Sequence, residues 1–358
     1  MSGIHSHQVL GMISGSSLDG LDIALVQFTI DPQVHNPILS WNIVRAETIP
    51  FSEQQTDQLK SLPNHTAYGL VETDNDLGYF FGNCAQAFIQ QSETVDLISS
   101  HGHTIFHHPG RSSTQIGNPA HIAAITAIKT VADLRNMDTA YGGQGAPLAP
   151  VADKYLFPEY LACLNIGGIA NISIKTSNSI VGYDICGANQ FLNLYAQTLG
   201  FPYDDGGFIA RSGTIQADLL NDLNMLDYCQ RTPPKSLDNS EVQSMYLPIL
   251  RSHRLSAQDT LATLTEHIAM QVGDSLPNTR GKVLVAGGGT FNTYLIERIN
   301  SNIPQGFDVV IPDRVIIEYK EATLVALCGL LRLYGLPNSF KSITGASKDS
   351  INGVIYHP

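Results

Sequence analysis

A chain of 358 residues with 43% hydrophobic composition buries a sizeable core, yet it exceeds what one core usually organises, so two lobes facing a cleft are expected. The formal net charge is −12 with Lys and Arg scattered along the chain, which argues against nucleic acid or an anionic membrane as the main partner. An anionic ligand must then be held by local positive charge or by backbone amides.

The opening MSGIHSHQVLGMISG lacks a basic n-region and a long apolar h-region. No later stretch reaches the roughly 18 apolar residues of a membrane span, so a soluble, cytoplasmic protein is expected. Residues 9–14 and 21–30 are rich in aliphatic and β-branched side chains, and the intervening GSSLDG supplies turn chemistry, so they read as a hairpin with a polar tip. Residues 52–92 are more polar and carry helical spacing at Leu70, Leu77, Phe81 and Phe88, before a buried-strand pattern at 95–99. IAAITAIKTVADLR reads as a helix passing into a strand near 130–134. The Gly- and Pro-rich YGGQGAPLAPVAD follows, with residues 141–147 as a candidate hinge or cleft wall. The main boundary is therefore placed near residue 130: a first α/β lobe over 1–130, to which 338–358 return, and a second over 131–337.

LACLNIGGIANISIKT repeats the grammar of the first hairpin, two apolar strands around a Gly-Gly turn, which suggests duplicated halves. KVLVAGGGTFNTYLIERI runs as a strand, a triple glycine and a helix, with Phe291, Leu295 and Ile299 spaced for one face. A last helix is expected over 321–334, before the tail ITGASKDSINGVIYHP. Cys84, Cys163, Cys186, Cys229 and Cys328 are widely spaced with no CxxC pair, the usage of reduced, mostly buried thiols.

Three glycine-rich turns, at 11–20, 167–168 and 287–289, each follow an apolar strand, where backbone amides can approach phosphate without a Cβ in the way. One such turn alone is usually a tight connection, and none has the spacing of a P-loop or a dinucleotide fingerprint. Two hairpins and one strand-turn-helix in that order are more specific. In the first turn Ser14, Ser16 and Ser17 offer hydroxyls, and Asp19 and Asp22 offer carboxylates able to hold Mg²⁺ through water. Asx and Ser turns account for the same residues, so a structural reading stays open. The helix start after Gly289 offers its positive dipole end to phosphate. His101, His103, His107 and His108 invite a zinc reading, but no Cys or carboxylate completes an evident tetrahedral set.

The strings GMISGSSLDGLDIAL, SHGHTIFHHP, QIGNPAHIAAIT, VADLRNMDTAYGGQGAPLAP, LNIGGIANIS, VAGGGTFN and the terminal TGA, in this order and spacing, are similar to those of the anhydro-N-acetylmuramic acid kinase family. The likeness runs from Gly11 almost to the last residue. It implies the two-lobed actin-like ATPase fold shared by sugar kinases, actin and the heat-shock chaperones, with duplicated α/β domains around a central cleft. The implied reaction spends ATP and water to convert 1,6-anhydro-N-acetylmuramic acid to N-acetylmuramic acid 6-phosphate, in cell-wall recycling, and family analogy favours a homodimer. ATP with Mg²⁺ is expected between the lobes, at Gly15, Ser16, Ser17, Leu18, Asp19, Gly20, Leu21, Asp22, Gly167, Gly168, Gly287, Gly288 and Gly289, with Asp19 reaching the metal through water. Asp184, in VGYDICGANQFLN, matches the family's catalytic aspartate at a strand end and is the implied general base. Glu321 matches a family glutamate that contacts the sugar, Arg135 with Asp138 lies in a matching DLRNMD segment, and His101 and His103 are expected as substrate neighbours, although the family has Gln at the place of His103. A guanidinium such as that of Arg135 suits the lactyl carboxylate of the implied sugar.

Besides His103, two segments depart from the family pattern. After Asp184 the usual Gly-Pro-Gly-Asn turn is replaced by Cys186, Gly187, Ala188 and Asn189, and a later Asp by Asn193. Of PPKSTGRE only the first half survives, as PPKS from Pro233, with Lys235 kept. ATP use is thus better supported than sugar identity, and a kinase of another amino or anhydro sugar is the alternative. A non-catalytic ATP-binding switch is a third reading; the length leaves no room for a chaperone's separate substrate-binding domain.

Overall fold

The computed structural model describes residues 3–15, 17–89, 94–176, 179–233 and 235–358. Its strands in chain order are β1 (His5–Ser14), β2 (Gly20–Ile30), β3 (Ile38–Pro50), β4 (Leu97–His108), β5 (Ser112–Ile116) and β6 (Thr130–Ala132). They continue as β7 (Ala162–Ile166), β8 (Ile169–Lys175), β9 (Ile180–Gly187), β10 (Gly281–Ala286), β11 (Phe307–Val310) and β12 (Val354–Tyr356). The chain divides into two units, Met1–Phe157 with Tyr319–Pro358, and Pro158–Glu318.

Each unit has its own mixed sheet, and the two sheets share one plan. In the first, β1, β2 and β3 form an antiparallel meander, and β4 and then β6 add in parallel beside β1. In the second, β7, β8 and β9 form the meander, and β10 and then β11 add in parallel beside β7. The orders β3-β2-β1-β4-β6 and β9-β8-β7-β10-β11 are therefore the same path, and the duplicated α/β class expected from the repeated hairpin holds. β12 extends the first sheet by pairing antiparallel with β6, and β5 folds back on β4.

The division falls at Phe157 and Tyr319, not near residues 130 and 338. β6 is a rung of the first sheet, bonded to β4 on one side and β12 on the other, so the chain cannot leave that unit at residue 130. The segment 141–147 likewise lies inside the first unit. Its Gly143 amide donates to the Asp138 carbonyl and its Gln144 amide to that of Thr344, so it is pinned to its own unit rather than placed as a crossing.

Small residues bring the helix Arg314–Leu333 against the first sheet. A Cβ on Gly11 of β1 would collide with the Ala322 carbonyl, and one on Gly329 would strike the Ser99 side chain of β4. On the other face, Leu77, Phe81, Ala85 and Phe88 of the helix Ala67–Ile89 bury against Leu10, Met12 and Leu25. In the second unit the helix Ala257–Ser275 is buried along almost its whole length, capped by Ser256, whose hydroxyl accepts from the Asp259 amide. Leu264, Ile268 and Val272 join the core formed by Leu164, Ile166, Ile185 and Phe191.

Phe291 departs from the expected face. It ends the 3-10 turn Gly288–Phe291 and is 44% exposed, whereas Leu295 and Ile299 are buried. The reason is local. The Asn292 side chain accepts from the Leu295 amide and starts the helix Thr293–Asn302 after Phe291 rather than before it.

Candidate active site

The first glycine turn lies between β1 and β2. The Leu18 amide closes it on the Gly15 carbonyl at 3.3 Å, with Leu18 itself at φ 58. Ser17 Oγ donates to Asp19 at 2.6 Å, and Thr48 Oγ1 to Asp22 at 2.6 Å. Gly20 is required by packing, since a Cβ there would run into the Ile49 carbonyl. Gly15 is not: its φ is ordinary, and the nearest atom to an added Cβ is Ser17 Oγ at 3.5 Å. Leu21 is fully buried in the hydrophobic core, so it can offer a ligand its backbone and nothing more. Ser16 lies outside the described residues.

Burial pushes the Asp22 carboxyl above its ordinary value; the Thr48 hydroxyl opposes this, and the charge of Asp19 adds to it. Glu321 shows the same repulsion. Its side chain keeps open water contact, yet protein crowds it on other sides; that desolvation, then the negative charge of Asp22, pushes its carboxyl up, while Arg135 and Lys320 pull it down. Among the described residues no three acidic, His or Cys side chains converge into a self-sufficient metal cage. Asp19 and Asp22 nevertheless form a hard, oxygen-only pair with excess negative charge, which fits Mg²⁺ completed by water and phosphate oxygens, and does not fit zinc.

β4 positions the histidines through a bulge. Its register to β1 steps from Met12↔Ser100 to Ile13↔Gly102, so His101 is the extra residue, and Gly102 follows at φ 76. Both His101 and His103 are buried. His103 Nδ1 lies 3.0 Å from Ser14 Oγ; burial lowers the pKa of the ring, and a hydrogen bond to the Ser14 backbone opposes this. His101 meets Arg135 rather than open space: Arg135 Nε donates to its Nε2 at 2.9 Å. Arg135 Nη1 donates to the Gly145 carbonyl at 2.7 Å. Asp138, 1% exposed, accepts from the Gly145 amide, Ser339 Oγ and Thr344 Oγ1, which makes it the knot that ties the terminal segment to this loop.

In the second unit the glycine turns sort themselves by necessity. Gly287 needs its φ of 87, and a Cβ on Gly289 would strike the Ile166 side chain. Gly167, Gly168 and Gly288 have ordinary φ values, and the nearest atoms to an added Cβ stand at 3.5, 3.8 and 3.9 Å. Neither turn geometry nor packing demands glycine at these three places, so their bareness leaves room for a ligand. The helix Asn189–Gln197 starts beside them, with the Asn189 amide donating to the Gly167 carbonyl at 3.0 Å. Gln190 carries no sequence signal that marks it as a site residue. Its Nε2 is buried without a partner among the described residues, and its Cβ is the nearest neighbour of a Cβ added at Gly168, a donor left over for a ligand.

Asp184 sits within β9, three residues before its end, not at the strand end. A bulge places it there: Asn171 pairs with Asp184 and Ala170 with Cys186, leaving Ile185 as the extra residue. The Asp184 carbonyl accepts from Tyr228 Oη at 2.8 Å and its Oδ2 from the Leu237 amide at 2.9 Å. Burial raises its carboxyl above the ordinary value, and the Leu237 hydrogen bond opposes this. The chain segment that departs from the family string thus still holds Asp184, because the contact uses a backbone amide that any residue except proline supplies. Lys235 lies alongside, its Nζ on the Tyr228 carbonyl at 3.2 Å and 4.8 Å from the Tyr228 ring centroid.

A raised carboxyl whose second oxygen accepts no hydrogen bond among the described residues has the chemistry to take a proton, and bare glycine turns leave space for phosphate. The family model for anhydro-N-acetylmuramic acid kinase matches residues 7–358. A protein of that description from Synechococcus elongatus is 33% identical, covering 98% of this chain and 99% of its own. One from Pasteurella multocida is 34% identical over 97% of this chain and 96% of its own, and one from Hydrogenovibrio crunogenus 34% over all of both. Among solved structures, a ROK family glucokinase from Streptomyces griseus in complex with glucose and AMPPNP is similar at 11% identity and a TM-score of 0.38, over 92% of this chain and 99% of its own. Matched end to end and carrying the bulge-held aspartate and the bare glycine turns, the chain belongs to the anhydro-N-acetylmuramic acid kinase family.

Proposed function

We propose that this protein is an ATP-dependent sugar kinase that converts 1,6-anhydro-N-acetylmuramic acid, ATP and water to N-acetylmuramic acid 6-phosphate and ADP, in the recycling of cell-wall sugars. The observation that carries the reading is the family match over residues 7–358 with relatives covered along their whole length. The anhydro sugar has no free 6-hydroxyl. Water must attack the anomeric carbon as the C1–O6 bond breaks, O6 takes the γ-phosphoryl group, and a base takes the proton from water. Asp184 is assigned that base, held by the Leu237 amide and raised by burial toward the pH at which a base works well.

In the first unit, the turn Gly15, Ser16, Ser17, Leu18, Asp19, Gly20, Leu21 and Asp22 is assigned to phosphate. Asp19, through water, and Asp22 would hold Mg²⁺, whose charge offsets that of the phosphoryl oxygens when bound. In the second unit, Gly167 and Gly168 with Gln190 are assigned to phosphate and Gly287, Gly288 and Gly289 to the adenosine. Arg135 and Glu321 are assigned to the sugar. His103 is a wall beside Ser14. We place the protein in the cytoplasm, as a homodimer by family analogy; among the described residues the five cysteines are free thiols and no helix is long and apolar enough to cross a membrane.

The test is ADP release with anhydro-N-acetylmuramic acid, with ordinary amino sugars and with no sugar, together with the mass of the product. Turnover that needs the anhydro sugar and a product heavier by both water and phosphate is expected. Phosphate gain without water, or turnover indifferent to sugar, would overturn the reading.

A further inference from the structure

Arg135 is gripped on two sides by neutral acceptors, the His101 imidazole at Nε and the Gly145 carbonyl at Nη1. Glu321 acts on it through space, without an ion pair among the described residues. Its Nη2 edge has no protein acceptor among them, and its charge is not cancelled by a touching carboxylate. Such an arrangement is costly for a half-buried guanidinium, which desolvation pushes below its ordinary pKa. A carboxylate in the place of His101 would relieve that cost and would also spend the charge. A neutral acceptor fixes the guanidinium plane and leaves the charge for something else.

The chain makes an effort to put that acceptor there. His101 is the surplus residue of the β4 bulge, aimed by it out of the regular alternation, and Gly102 at φ 76 lets the strand recover. To accept from Arg135, Nε2 must be bare, so the ring proton sits on Nδ1, 3.2 Å from the Gly102 carbonyl. Burial, and then the charge of Arg135, lower the imidazole pKa to about 3, so the ring stays neutral at any physiological pH. The second grip is anchored as firmly. The Gly145 amide donates to Asp138 at 2.8 Å, and Asp138 is held by Ser339 and Thr344 of the terminal segment at 2.8 and 2.7 Å.

We propose that His101 is a positioning residue, a neutral acceptor that presents the Arg135 guanidinium to the carboxylate of an acidic sugar, with the Asp138–Gly145 clamp as the second anchor. The proposal rests on the sugar-kinase reading and replaces a direct substrate contact for His101. A merely packed histidine would affect stability, and all substrates alike; a positioning histidine acts through one anionic group. The experiment compares His101→Leu and His101→Gln with the native protein, using anhydro-N-acetylmuramic acid and its lactyl amide, which lacks the charge. His101→Leu is expected to raise KM for the acid about tenfold or more, the scale of one hydrogen bond to a charged group, with little change for the amide or for ATP. His101→Gln should recover most of that loss, since its Oε1 can accept from Nε. Equal KM rises for acid and amide, or an unchanged KM for the acid in His101→Leu, would overturn the proposal. If His101→Leu does not fold, Thr344→Val is measured in the same way and probes the second anchor: a KM rise confined to the acid supports the proposal, and an equal rise for acid and amide, or no rise, overturns it. Native protein that fails to turn over the acid would count against the kinase reading instead, so the two failures are distinguishable.

Discussion

Asp184 concentrates the chemistry in one carboxyl. Asn at this position keeps the size and the contact to the Leu237 amide but cannot take a proton, so Asp184→Asn should fold, bind Mg-ATP and lose turnover by about 10²–10⁴-fold. Near-native ADP release from the variant would remove the base assignment. Because burial raises the carboxyl, the acid limb of kcat/KM in the native protein should fall at a pH above the ordinary aspartate value of 3.8, and a limb at or below that value would contradict the assignment. The same shift has a stability consequence. A carboxyl raised by folding costs stability once it ionises, so the native protein should lose stability relative to Asp184→Asn as pH rises through the folded pKa, and the gap should close below 3.8. Melting curves across that window would show it. The sequence points at Asp184 through a family string alone; a lone Asp in an apolar run has no signature, and the bulge at Ile185 that aims it depends on pairing with β8.

At the scale of elements, glycine turns that look alike in sequence divide into two kinds. Gly168→Ala should leave the melting temperature nearly unchanged, because an added Cβ meets nothing closer than 3.8 Å, yet weaken nucleotide binding. Gly289→Ala should instead destabilise by about 1–3 kcal/mol, because the methyl group would be forced into Ile166. Calorimetric nucleotide titrations beside denaturant melts separate the two effects; unchanged nucleotide affinity in a folded Gly168→Ala would withdraw that turn from the phosphate site. Strands and turns are legible from alternation and glycine. Which glycines serve the fold and which serve a ligand is not, since that depends on atoms brought close from distant segments, as Ile166 is to Gly289.

Across the whole molecule, residues 338–358 act as a fastener of the first unit. Asn338, 1% exposed, donates to the Cys328 and Asn352 carbonyls and accepts from the Asn352 amide. Asn338→Ala removes these bonds and leaves buried carbonyls and an amide unpaired, at about 1–3 kcal/mol for each group left unsatisfied. Proteolysis under mild denaturant should then cut within residues 1–157 before residues 158–318. Simultaneous loss of both, or unchanged resistance, would show that the tail does not hold the first unit in this way.

Alternation, turn chemistry and repetition in the sequence determined the two hairpins and the duplicated α/β plan, and the ordered strings carried the likeness to the family, because these are patterns that each segment carries by itself. The unit boundary, the exposure of Phe291 and the pairing of His101 with Arg135 were decided by tertiary structure. Each depends on a partner far along the chain or on a cap that competes with periodicity: β12 beside β6, Asn292 starting its helix late, a bulge in β4 facing the loop at Gly145. Long-range hydrogen bonding leaves no period in the sequence to read, and that is why a residue near 130 looks like a boundary although its backbone is already committed to a sheet.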